Sequence, residues 1–256
     1  MATTAGALHV GCAGWSLPRA LWPQFGAQGT HLQRYATQLS AVEINSSFYR
    51  PHQHATYARW ADSVPSSFRF SVKLPRSITH GQRLVDCTAL LDAFLAQASG
   101  LGDRLGCLLV QLPPSLRFDA AVVAAFTALL RARHGGAVAL EPRHASWFTP
   151  QADALLERAQ IARVQADPAR HPAGQAPGGW PGLRYLRLHG TPQVYDSPYG
   201  VAALGSVATQ LQAAQAAGAA AWCIFDNTAL GHATHNALDM QALLQAHPTP
   251  PEPAAQ

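Results

Sequence analysis

The sequence predicts a single (β/α)8 TIM barrel, on three observations. Short β-like runs alternate with longer helical segments along 256 residues, the pattern of βαβ units and a parallel sheet. Eight such units in a chain of this length suit a closed barrel better than an open sheet. Polar residues inside the runs share one parity and gather at the C-terminal ends, the face on which barrel proteins build their sites.

The first run is LHVGC (8–12), and the helical candidate THLQRYATQL leads to the second, AVEIN (41–45). Alternate side chains of a barrel strand point to the helices and to the axis, so apolar Val42 and Ile44 assign Glu43 and Asn45 to the axis. In FRFSVK (68–73), Phe70 and Val72 likewise face outward, leaving Ser71 and Lys73 inward. The helical segment CTALLDAFLAQASGL precedes LGCLLVQL (105–112), which supplies Gln111; AAVVAAFTALLRAR precedes AVALE (137–141), which supplies Glu141 with Arg143 just beyond. After PQADALLERA, the run IARVQA (161–166) is expected to turn Gln165 and Asp167 to the axis. LRYLRL (183–188) contributes Tyr185, Arg187 and His189; VATQLQAAQAAG, AAWCIF (220–225) with Asn227 beyond it, and ALDMQALLQA complete the ring. Residues 1–247 are expected to form one domain, and 248–256, in the proline-rich end HPTPPEPAAQ, to be disordered.

Composition narrows the function classes. Charged residues make up 12% of the chain, about half the usual share of roughly 25%, so alanine and glutamine must cover much of the surface. The chain opens without a basic segment followed by an apolar one, and no apolar run approaches the ~20 residues that span a bilayer. The expectation is a cytoplasmic protein with no membrane partner. Cys12, Cys87, Cys107 and Cys223 form no CxxC pair and read as buried thiols, not as a disulfide or zinc framework. The formal charge of +4 comes without any Lys/Arg run that would track a phosphate backbone. Lys73 is the only lysine against seventeen arginines, which marks a place where a compact ammonium on a flexible stem is wanted instead of a planar fork.

The stretch LEPRHASW (140–147) packs an acid, a guanidinium, an imidazole and an indole into eight positions, a mixture that a core cannot bury unpaired. By parity it forms one wall of a charged pocket at the barrel mouth.

The blocks GCAGWS, AVEINSSFYR, FSVKLPRSITH, LVQLPPS, EPRHASW, YLRLHG and FDNTALGHATHNA resemble the signature blocks of the YecE-like family, catalogued as domain of unknown function seventy-two. The resemblance runs from about residue 8 to 245. It implies a TIM barrel and supplies no reaction. Asp226 departs from the family pattern, standing where many members show the first Asn of an Asn-Asn pair.

Three chemistries compete for this pocket. The favoured one is an enzyme, a hydrolase or an isomerase or lyase, on a small phosphorylated, carboxylated or sugar-like ligand. Its catalytic candidates are Glu43, Lys73, Glu141, His144, Asp167 and His189. Arg143 and Arg187 would grip an anion; Trp15, Tyr49 and Trp147 would stack on a ring; Asn45, His80, Gln111, Tyr195 and Asn227 complete the binding set, and Tyr195 and Tyr199 read equally as a lid over the mouth or as a packed loop. For Lys73 the acid-rich surroundings favour an ammonium serving a developing oxyanion over a base or Schiff-base nucleophile. A divalent metal on Glu43, Glu141, Asp167 and His189 is the second chemistry; three cations in the same ring disfavour it, and no other cofactor is indicated. His232 and His235 read as flanking a helix start and add no ligand. Nucleic acid, gripped by SSFYRPHQH and EPRHASW, is the third and has the weaker support. A binding-only barrel that senses a metabolite is the non-catalytic alternative. GCAGWS lacks GxGxxG, and neither INSSF nor HASW makes a GxSxG elbow. QAPGGWPG reads as a turn-rich loop with Trp180 packing.

Overall fold

The computed structural model describes residues 6–246; the expected C-terminal tail lies outside the described residues. Ten strands form one sheet: β1 (Leu8–Ala13), β2 (Ala41–Ile44), β3 (Arg69–Lys73), β4 (Leu105–Gln111), β5 (Val138–Glu141), β6 (Ala162–Arg163), β7 (Gln165–Asp167), β8 (Gly178–Gly179), β9 (Leu183–Leu188) and β10 (Ala220–Phe225). From β9 through β10, β1 and on to β6, all neighbours are parallel. β6 and β7 are two halves of one stave, divided at Val164: β6 bonds β5 and β7 bonds β9, which closes the ring. Eight staves therefore surround the axis, as the eight sequence runs require. β8, inside QAPGGWPG, adds a two-residue antiparallel pairing on β6 where only a loop was expected.

The helices are α1 (His31–Tyr35), α2 (Ser46–Tyr49), α3 (His54–Asp62), α4 (Thr88–Ala98), α5 (Ala120–Arg131), α6 (Pro150–Arg158), α7 (Val201–Ala216) and α8 (His232–Ala246). α1 is half its expected length; the Thr37 hydroxyl donates to the Arg34 carbonyl, a local bond that competes with helix continuation. α2 and α3 have no counterpart among the sequence expectations. The stretch HATYARWAD carries few aliphatics, and its buried face consists of Tyr57 and Ala61, four apart. α7 starts at Val201 instead of 207, and His232 opens α8. The four cysteines are buried and free. No described helix is long and apolar enough to cross a membrane.

Strand parity divides the apolar residues into two cores. Val42, Ile44, Phe70 and Val72 face the helices in the larger one. Inside the barrel, Ala41, Cys107, Leu109, Tyr185, Trp222 and Ile224 form the other, with Trp180 packed against it. Trp222 stacks on Tyr185 with ring centroids 5.9 Å apart, and it fits because residue 106 is glycine; a Cβ there would stand 2.6 Å from the indole. This apolar plug fills the lower barrel. Above Tyr185 the interior turns polar, which confines charge to the C-terminal mouth.

Tyr35 joins the first two staves. Its hydroxyl accepts from the Cys12 amide at 2.8 Å and donates to the Ala41 carbonyl at 2.9 Å. Glycine at position 11 admits it, since a Cβ there would lie 3.0 Å from the Tyr35 oxygen and 1.9 Å from the Ala41 oxygen. Tyr35→Phe strands a buried donor and a buried acceptor. It is expected to cost about 2 kcal/mol, read as a lower urea midpoint with an unchanged m-value. An unchanged midpoint would show that the two backbone groups pair without the hydroxyl.

Candidate active site

Arg187, near the top of β9, is 1% exposed and points to the barrel axis. Its Nε and Nη2 donate to Glu43 Oε2 and Oε1 at 3.0 and 2.7 Å, a bidentate grip. Nη1 donates to Glu141 Oε2 at 2.7 Å, and Nη2 also donates to Asp226 Oδ2 at 2.9 Å. Around this hub the Tyr185 hydroxyl lies 2.9 Å from Glu43 Oε2 and 2.7 Å from Ser71 Oγ. Gln111 donates to Glu141 Oε2 at 2.9 Å, and Arg143 Nε to Glu141 Oε1 at 3.1 Å. His189 completes the cluster: Nδ1 lies 3.0 Å from Asp226 Oδ2, and Nε2 3.6 Å from Glu141 Oε1.

The charges determine which groups hold protons. Burial alone would raise the Glu141 carboxyl, but Arg187, the His189 bond and Arg143 outweigh it and hold it well below the usual range. Asp226 is lowered in the same way, with Arg187 overcoming burial. Burial would strip the proton from His189, yet its bond to Asp226 and the adjacent Glu141 carboxylate raise its pKa above the ordinary 6.5. The cluster thus sets the carboxylates of Glu141 and Asp226 against a His189 whose protonated form they favour, with Arg187 between them. Lys73 behaves differently. Burial and then Arg187 bring it down to about 8, against the pull of Glu43, Glu141 and Asp226.

A cleft of about 300 Å³ opens beside this cluster, lined among others by Glu141, Arg143, His189, Phe148, Arg170 and Tyr195. Tyr195 stands edge-on to the His189 ring with centroids 6.0 Å apart, on a left-handed backbone (φ 71°) that non-glycine residues seldom adopt. His80, at the same mouth, is held below its ordinary pKa by burial and by Lys73 and Arg143.

Several expected site residues lie elsewhere. Asp167 does not reach the axis. Ala162 and Val164 take the inward parity of the split stave, Gln165 bonds Gln210 and Arg184 on the helix side, and Asp167 accepts from the Thr191 hydroxyl at 2.9 Å. Parity in IARVQA puts Gln165 and Asp167 inward only with Val164 outward, whereas the strand breaks at Val164 and its side chain lines the interior. Trp147 is a core residue: it is fully buried against Phe118 and donates to the Leu116 carbonyl. His144 Nδ1 accepts from the Ser146 amide and so shapes a turn. Arg187 has its donors committed to carboxylates and offers a ligand no fork. Asn227 donates to the Ser197 carbonyl and the Asn236 side chain, tying loops together. Trp15 meets Trp60 edge-on, and Tyr49 is 74% exposed beside Phe48. Asn45 Oδ1 is sealed from solvent without a partner. Tyr199 is packed, its hydroxyl lying 2.9 Å from both the Gly190 amide and the Asp167 carbonyl, so no lid forms from it. Glu43, Lys73, Gln111, Glu141, Arg143, Arg187 and His189 do come together.

Asp226, Arg170 and Phe148 were not chosen as site residues. Only Asp226 carried a signal, as the departure from the family pattern. Among the described residues no three His, Cys, Asp or Glu side chains are grouped to hold a metal; the guanidinium of Arg187 stands where the carboxylates converge.

The family model for the protein of unknown function DUF72 matches residues 9–256. The chain belongs to the DUF72 family. The UPF0759 protein YecE of Escherichia coli K12 is 33% identical over 106 residues, which is 41% of this chain and 38% of YecE, so the match spans about two fifths of that relative's length. A DUF72 structure from Enterococcus faecalis V583 superposes with a TM-score of 0.77 at 22% identity, covering 93% of this chain and 95% of that one. Another, from Thermotoga maritima MSB8, gives 0.75 at 24% identity over 93% and 99%. At these identities the structures speak for the barrel alone.

Removing Arg187 leaves the buried carboxylates uncompensated. Arg187→Leu is expected to cost about 3–5 kcal/mol at pH 7 by chemical denaturation. The deficit should shrink as pH falls, for two reasons. The variant's carboxyls, buried without Arg187, take up protons first, and below their ordinary values of 4.5 and 3.8 the wild type loses the stability contributed by its depressed Glu141 and Asp226. A deficit that is small, or that grows on acidification, would contradict the ion cluster.

Proposed function

We propose that this DUF72 protein is an enzyme that moves a proton on a small anionic or sugar-like substrate bound in the cleft between β5 and β9. The single observation that carries this reading is the setting of His189. One ring nitrogen is anchored on Asp226 at 3.0 Å, while Nε2 stands 3.6 Å from Glu141, beyond hydrogen-bond length, at the wall of the open cleft. Asp226 and the nearby Glu141 carboxylate thus favour the protonated imidazole and leave one N–H for a ligand to capture. Such a group is a general acid, and once it has given its proton it is the base for the return step. Glu141 orients it and remains ionised. Arg143, with one bond to Glu141, and the exposed Arg170 supply the anion-binding charge that Arg187 does not.

Hydrolysis and isomerisation or elimination share this proton transfer, and the substrate decides between them. Nucleic acid has the weaker support as the substrate because the sequence holds no Lys/Arg run to track a phosphate backbone. A cytoplasmic setting suits a chain with four free thiols.

A thermal-shift panel of sugar phosphates, hydroxy acids and inorganic phosphate, followed by turnover assays on every ligand that stabilises the protein, tests the proposal. His189→Asn should lower kcat about a hundredfold or more, with a smaller change in KM. Activity in the wild type should fall as pH rises through the folded pKa of His189, above 6.5, and stability contributed by the protonated imidazole should be lost in the same direction. Ligands that bind without being consumed would make this a metabolite-binding barrel. Turnover unaffected by His189→Asn would remove the imidazole from the chemistry.

A further inference from the structure

Lys73 ends β3 with its side chain inside the barrel, 7% exposed. Three carboxylates act on its charge, yet none of them holds it. Glu43 is taken by Arg187 and Tyr185. Glu141 is taken by Arg187, Gln111 and Arg143. Asp226 Oδ2 receives Arg187 and His189. Among the described residues Nζ makes neither a hydrogen bond nor an ion pair, and its contact is the face of Phe48, 4.3 Å from the ring centroid. The described polar atoms that are both sealed from solvent and unpartnered are Asn45 Oδ1, Arg104 Nε, His134 Nε2 and Asn227 Oδ1. Nζ is not one of them, so the exposure the residue retains includes its nitrogen.

A buried ammonium normally acquires a carboxylate or a set of acceptors. A reachable amine left without either, beside acids that each already bond Arg187, has the setting of a nucleophile. An amine nucleophile of this kind takes an aldehyde or ketone.

We propose that Lys73, at the ionic mouth beside the cleft and not in its wall, is a covalent residue that forms an iminium with a small carbonyl substrate; the proposal rests on the reading of the mouth as an enzyme site. The neutral amine adds its lone pair to the carbonyl carbon, a C–N bond forms, and the carbonyl π electrons pass to oxygen. The nitrogen gives up one proton and the oxygen gains one, yielding the neutral carbinolamine. A further proton, assigned to His189 by the reading above, goes to the hydroxyl, which departs as water and leaves a protonated C=N linkage. No oxidant or reductant takes part. The Phe48 face and the carboxylate-rich surroundings accommodate the cation in both the ammonium and the iminium forms. A burial-lowered pKa of about 8, set first by desolvation and then by Arg187, supplies neutral amine near neutrality.

The solitary lysine makes the test direct, because the α-amino terminus is the other primary amine of the chain. The full-length protein is incubated separately with pyruvate, dihydroxyacetone phosphate and glycolaldehyde, then reduced with sodium borohydride and mapped by peptide mass spectrometry. The expected result is an adduct on the Lys73 peptide that forms about tenfold or more faster than on Nα-acetyllysine at pH 7. Lys73→Arg and Lys73→Met, both checked for native circular dichroism, should abolish it. Modification confined to the terminus, or at the rate of the model amine, would overturn the proposal. His189→Asn separates the two readings: slower adduct formation supports both, whereas an unchanged rate keeps the covalent lysine and withdraws the proton from His189.

Discussion

Arg187 binds side chains from three other places in the ring: Glu43 on β2, Glu141 on β5 and Asp226 at the end of β10. A guanidinium can do this because its donors lie in one plane at fixed angles, whereas a lysine at the same place would offer a single point charge. The grouping is costly to bury, since each ion must leave water, and it persists because nearly every lone pair facing it is answered by Arg187, Arg143, Gln111, Tyr185 or His189. The apolar plug below, with Trp222 stacked on Tyr185, holds Tyr185 so that its hydroxyl reaches Glu43. The upper barrel is thus a rigid ionic floor on which the cleft stands.

That floor sets the chemistry of the groups at its edge. His189 bonds one of the carboxylates that Arg187 collects and stands beside another, and the two raise its pKa. Lys73 bonds none of the same carboxylates, and desolvation and then the repulsion of Arg187 lower its pKa. One arrangement therefore pushes two basic groups in opposite directions, the imidazole up and the amine down. Under the proposed function, this separation of acid and nucleophile by environment would let proton transfer and addition run together near neutral pH.

Much of this was legible in the chain. The alternation of apolar and polar positions in AVEIN, FRFSVK and LRYLRL assigned Glu43, Lys73 and Arg187 to the axis, because a helix layer outside the sheet makes the outward parity apolar without ambiguity. The same rule failed for the sixth stave. There the strand breaks at Val164, and the interior is lined by Ala162 and Val164 themselves, so an apolar residue marks the inside. In LEPRHASW, Glu141 and Arg143 belong to the mouth, but His144 shapes a turn and Trp147 fills the outer core, since the chain leaves the strand at Pro142 and parity ends with it. The acidic neighbourhood of Lys73 was also visible. That none of those acids bonds it was not, because that depends on which donors reach each oxygen, and only the folded geometry shows it. Arg170 and Phe148 come from loops, where no periodicity marks a direction.

The central claim is that Arg187 and its carboxylates act as one interacting unit that organises the mouth. A double-mutant cycle between Arg187→Met and Glu43→Leu, measured by urea unfolding at pH 7, addresses it most directly. The account predicts a coupling energy of about 2 kcal/mol or more, with the double variant recovering much of what each single change loses. Losses that simply add, with a coupling within about 0.5 kcal/mol of zero, would show that the two side chains contribute independently and would contradict it.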